Sequence, residues 1–97
     1  MGRTPADLPP GLAGQYEQLS RRFRDGLAQR WREIESAPDV ASRRAALHRL
    51  AGAAAAYGFE RVGALAREAE PLCGAAGAEQ RLAALLAELG REMRGAR

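Results

Sequence analysis

Apolar residues fall at Leu12, Tyr16, Leu19, Phe23, Leu27, Trp31 and Ile34, spaced by three and four, the repeat that aligns side chains along one face of an α-helix. This spacing predicts one continuous helix of about seven turns. Pro9 and Pro10 suit its start, where a missing N–H costs nothing, and Pro38 stops it. Asp39 can then accept hydrogen bonds from the first free N–H groups of a second helix, predicted from about 40 to 57, with an apolar stripe of Val40, Leu47, Leu50, Ala54 and Tyr57. Gly58 is a natural left-handed cap. The third helix starts at Phe59 or Glu60 and turns Val62, Leu65, Ala66, Ala69 and Leu72 to the core, while Pro71 kinks its last turn or ends it early. Gly74 and Gly77 bracket a turn, and Leu82, Leu85, Leu86, Leu89 and Met93 predict a fourth helix from about 78 to 94.

Four amphipathic helices joined by short loops predict an all-α fold, an antiparallel up-down four-helix bundle. A single domain spans 1–97, with room for a short extra N-terminal turn and a flexible segment at 1–8. Composition agrees. Alanine occurs 22 times in the 97 residues, Val and Ile together only three times, and no strand-like alternation is present. Aromatic residues are 5% of the chain, so stability must come from many aliphatic contacts.

Charge and chemistry narrow the functional classes. All 15 basic residues are arginine, against 12 acidic ones, and the signs are interleaved along most of the chain. A net charge of +3 spread this way is a weak signal for a nucleic-acid face. One cysteine, Cys73, and one histidine, His48, exclude an internal disulfide and a Cys/His metal module. No run of apolar residues is long enough to cross a membrane, and the N-terminus lacks a secretory core, so a cytoplasmic protein is expected. The stripe on the first helix leaves self-association through residues 12 to 34 open, but packing within one chain explains it, and a monomer is expected.

The second helix carries the distinctive chemistry. With Leu47 at 0° and 100° per residue, Leu50, Ala54 and Tyr57 fall between about −20° and −80°, whereas His48 falls at about +100°. The imidazole is therefore expected to face solvent. Around it the wheel places Ala41, Arg44, Ala45, Ala51, Gly52 and Ala55. Five of these six are nearly without side chains, so a reactive nitrogen stands on a bare platform that another protein can approach.

The string from Leu47 to Phe59, Leu-His-Arg-Leu-Ala-Gly-Ala-Ala-Ala-Ala-Tyr-Gly-Phe, resembles the signature of histidine-containing phosphotransfer (Hpt) domains, His-x-Leu-Lys-Gly-Ser/Ala followed by an aromatic or aliphatic residue and Gly. These domains are four-helix bundles of this length, and the resemblance covers residues 10 to 95. It implies a phosphoprotein of a bacterial two-component phosphorelay, in which His48 takes a phosphoryl group from a receiver-domain aspartyl phosphate and passes it to the aspartate of another response regulator. No catalytic activity of its own and no resident cofactor are implied; magnesium is expected on the partner receiver domain alone. A hybrid or sensor histidine kinase is the other implied partner. By the same resemblance Glu70 orients the imidazole, Gly52 leaves access for the phosphoryl group, and Arg44, Ala45, Arg49, Ala51 and Ala55 meet the partner. Pro71 is expected to bias Glu70 away from helical backbone angles. Ala51 stands where many family members have lysine, so Arg44 or Arg49 is expected to supply the positive charge.

Two other classes compete. A degenerate Hpt bundle would dock a receiver or kinase without phosphate chemistry, and would bind equally well after His48→Gln. A nucleic-acid binder using Arg21, Arg22, Arg24, Arg43 and Arg44 would lose affinity steeply with salt. An autonomous enzyme is disfavoured, because one histidine supplies neither a catalytic triad nor a metal site.

Overall fold

A computed structural model describes residues 10–95; the segment 1–8, expected from sequence to be flexible, lies outside them. The chain forms α1 (Pro10–Asp25), α2 (Leu27–Glu35), α3 (Val40–Ala56), α4 (Glu60–Ala69), a 3-10 turn (Glu70–Leu72) and α5 (Glu79–Gly95), with no strand among the described residues. Helices α2, α3, α4 and α5 pack each on the next, and α5 closes back onto α2. Short connections reverse the chain between them, which makes the bundle antiparallel.

The single long first helix expected from the stripe is two helices. Gly26 separates them, at φ −88° and ψ −2°, and its N–H is shared between the Arg22 and Phe23 carbonyls at 3.1 Å each. A glycine inside a helix is the weakest point of its run, by about 1 kcal/mol against alanine. Below the break Leu27, Trp31 and Ile34 are buried; above it Phe23 is buried as well, whereas Leu12 and Leu19 remain 50% and 45% exposed. The stripe is therefore continuous in spacing but not in burial. What holds α1 is an aromatic cluster at the end of α3, where Phe23 lies 5.4 Å from Tyr57 and 5.2 Å from Phe59, and Tyr16 lies 6.2 Å from Tyr57.

The helix ends follow the local chemistry. Asp39 adopts extended angles and its Oδ1 accepts from Ser42 N at 2.7 Å. That backbone hydrogen bond holds the Asp39 carboxyl below its ordinary pKa. At the other end of α3, Gly58 takes φ +80°, Phe59 N donates to Ala54 O at 2.9 Å and Gly58 N to Ala55 O at 3.4 Å, the paired bonds of a Schellman cap. Arg43 reaches back to close α2, donating from Nε to Ile34 O at 3.0 Å and from Nη2 to Glu35 O at 3.2 Å.

The core is aliphatic, built on Leu27, Ile34, Leu47, Leu50, Leu89 and Met93 with Trp31 at its edge. Gly90 admits the indole: a Cβ there would stand 2.6 Å from Trp31 Cζ2. Gly63 sits where α4 crosses α3, with its missing Cβ facing Ala54, Ala51 O and Ala55 N at 3.5–3.6 Å. Val40, expected on the core stripe of α3, is 47% exposed. It stands in the first turn, close to the loop at Gly74.

Candidate functional site

His48 projects from the middle of α3, and its side chain is 76% exposed. Its Nδ1 lies 2.9 Å from Glu70 Oε1, and the Glu70 side chain is only 26% exposed. A carboxylate accepts, so this contact defines the ring when Nδ1 carries the proton. Nε2 then holds the lone pair on the open side, a nucleophile facing solvent with its tautomer fixed from behind.

Glu70 arrives through an irregular segment. Pro71 has no N–H to continue α4, so the α-helix ends at Ala69 and the chain tightens into a 3-10 turn that begins with Glu70. The expected bias away from helical angles does not prevail: Glu70 lies at φ −51°, ψ −54°. Contacts from the segment that follows outweigh the local preference. Cys73 is buried, its Sγ lies 3.6 Å from Ala69 O, and Cys73 N donates to Glu70 O at 3.2 Å. Burial pushes the Cys73 thiol pKa up, against the opposing pull of Arg43 and Arg44.

The platform around His48 matches the helical wheel except at one position. Ala41, Arg44, Ala45, Gly52 and Ala55 are exposed, as is Arg49 beside the ring. Ala51 is 6% exposed and belongs to the core. On the wheel it stands only about 40° from Leu47, and the side-chain-free Gly63 lets α4 ride over that flank. Ala51 therefore offers little to a partner, and a lysine in its place would have to emerge from under α4. Gly52, by contrast, looks onto open space, since a Cβ there meets nothing within 4 Å. The glycine at a helix crossing is Gly63, which sequence reasoning did not single out. Its only signal is a lone glycine inside an otherwise regular core face.

Arg44 is exposed but not unattached: Nη2 donates to Cys73 O at 2.7 Å across 29 residues. Sequence could not have found this, because the acceptor is a backbone carbonyl on a distant turn. Beside Ala55, a shallow open depression between α3 and α4 is lined by Glu60, Gly63, Ala64 and Arg67. Among the described residues no three His, Cys, Asp or Glu side chains are grouped to hold a metal ion, and no helix is long and apolar enough to cross a membrane.

The family model of the Hpt domain matches residues 14–97, which include the histidine, its glutamate and the whole bundle α2–α5. No curated protein and no solved structure gives a significant match to the chain.

Proposed function

The chain belongs to the Hpt domain family, the phosphotransfer modules of two-component signalling, and on that premise we propose that it is a phosphorelay intermediate carrying its phosphoryl group on His48. The observation that supports this most directly is the exposed imidazole with Nδ1 held at 2.9 Å by Glu70. In the forward step the Nε2 lone pair attacks the phosphorus of a receiver aspartyl phosphate. The N–P bond forms as the P–O bond to the aspartate carboxylate breaks, and that carboxylate leaves with the electron pair. The ring keeps its Nδ1 proton throughout and becomes cationic, which the Glu70 carboxylate stabilises. Attack by an acceptor aspartate on the same phosphorus reverses each bond change, so the carrier needs no proton transfer and no metal of its own. Magnesium belongs to the receiver domains on either side.

The platform fits such an encounter. Ala45, Gly52 and Ala55 leave the ring reachable, and Arg49 adds positive charge toward an acidic receiver pocket, an effect that steers encounter more than it adds affinity. Phosphotransfer from a magnesium-loaded, phosphorylated receiver domain tests the reading. Label is expected on the wild type and not on His48→Gln, lost in acid and stable in alkali. Tight receiver binding by both proteins with label on neither leaves a docking module without phosphate chemistry.

A further inference from the structure

We propose that Arg44 is a positioning residue of this site, acting through the 3-10 turn and Glu70 rather than on the phosphoryl group. The inference rests on the phosphotransfer reading of His48, but its geometry stands apart from it. Glu70 reaches His48 from the point at which helical hydrogen bonding is interrupted at Pro71: its own N–H still donates to Ala66 O, and beyond it the turn is held by Cys73 N to Glu70 O at 3.2 Å and Ala75 N to Leu72 O at 3.1 Å. Such a segment needs external anchors to hold a side chain within hydrogen-bond range of another helix.

Two anchors are present, one at each side of the turn's end. The Cys73 side chain is buried in the core. Its carbonyl is taken by Arg44 Nη2 at 2.7 Å. Arg44 stands on α3 one turn before His48, so the same helix that presents the imidazole also grips the segment that presents the carboxylate. The loop is shaped for this contact. Gly74 takes φ +77° directly after Cys73, and a Cβ there would stand 3.5 Å from Arg44 Nη2 and 2.9 Å from Val40 Cγ1. Only a glycine satisfies both the left-handed angle and the close passage of the two α3 side chains. Arg44, Cys73, Glu70 and His48 thus form a closed path from α3 through the turn and back to α3, in which removal of the Arg44 bond frees the turn to rotate about the buried cysteine.

A charge acting directly on the phosphoryl group predicts something different, because such a role vanishes when no phosphate is present. Nitrogen NMR of the unphosphorylated protein at about pH 8.5, where an ordinary imidazole is neutral, separates the two. The wild-type ring is expected as the Nδ1–H tautomer set by Glu70. Arg44→Met is expected to shift it toward the Nε2–H mixture of a free imidazole, as Glu70→Ala does, and to slow phosphotransfer on the order of tenfold. Arg44→Lys, which can still donate to the Cys73 carbonyl, is expected to retain most of the wild-type tautomer. Circular dichroism should show both variants helical. An Nδ1–H ring unchanged in Arg44→Met overturns the proposal, whatever happens to phosphotransfer, and so does a wild-type ring in the Nε2–H form. Loss of helix in Arg44→Met also overturns it, by assigning the residue to global stability. If the wild type takes no phosphoryl group yet shows the expected tautomer shifts, the phosphorelay reading fails while the positioning role stands.

Discussion

Gly90→Ala and Gly52→Ala are the same chemical change in two helix interiors, and the structure requires opposite outcomes. Replacing glycine by alanine inside a helix gains about 1 kcal/mol of backbone propensity. At Gly52 nothing lies within 4 Å of the added Cβ, so that gain is the whole effect. At Gly90 the Cβ would stand 2.6 Å from Trp31 Cζ2 and 2.9 Å from Cε2. Ordinary carbon contacts lie at about 3.5–4.0 Å, so a ring that is 8% exposed must retreat by roughly 1 Å into neighbours already in contact. Overpacking of this kind costs about 1–3 kcal/mol, and a displaced indole belongs in the upper half of that range. Subtracting the propensity gain leaves about 1–2 kcal/mol of net destabilisation. For a domain of this size that lowers Tm by about 4–16 °C, while Gly52→Ala raises it by about 4–8 °C. Thermal melts followed by circular dichroism read both changes, and Trp31, the one tryptophan of the chain, reports the repacking by fluorescence in Gly90→Ala alone. A Gly90→Ala protein that melts at or above the wild type, with unchanged emission, refutes the close approach of α5 to the indole.

Two further outcomes follow from the site and its helix. Ala51→Lys, which installs the residue that many family members carry, is expected to destabilise the bundle by about 1–3 kcal/mol, because Ala51 lies under α4 and not on the platform; unchanged denaturant midpoints with faster phosphotransfer would contradict that placement. Asp39→Asn keeps a capping side chain but removes the charge. The native Asp39 carboxyl is held below its ordinary pKa by the Ser42 N–H, so its stabilising effect is complete above the unfolded-state value and disappears as pH falls through the native one. The melting difference between wild type and Asp39→Asn is therefore expected to be steady near pH 7 and to shrink below about pH 4; a gap that widens in acid reverses the sign and refutes the assignment.

Local signals in the chain were sufficient for the helical fold and for the outward placement of His48. Local signals place α3, α4 and α5 close to their observed bounds, because α4 and α5 are amphipathic and the ends of α3 and α4 are marked by residues with one dominant backbone role: Asp39 as an acceptor for free N–H groups, Gly58 as a left-handed cap, Pro71 as a missing donor. The wheel angle of His48 correctly turned it to solvent, since a helix's periodicity is a property of the chain alone.

Burial was not local in the same way. Whether Leu19 or Leu27 is covered depends on what lies opposite, so one stripe yields an exposed part up to Leu19 and a buried part from Phe23 onward. In an alanine-rich helix every face looks alike, and only the crossing of α4 at Gly63 decides that Ala51 is core and Gly52 is open. Glu70 keeps helical angles before a proline, its N–H still bonded to Ala66 O, while beyond it Cys73 is sunk in the core and its carbonyl is bound by Arg44, a contact between residues far apart in sequence. The residues able to do chemistry are thus set by their types and spacing, whereas the hydrogen bonds that orient them come from backbone atoms that carry no sequence signal and meet only when the bundle closes.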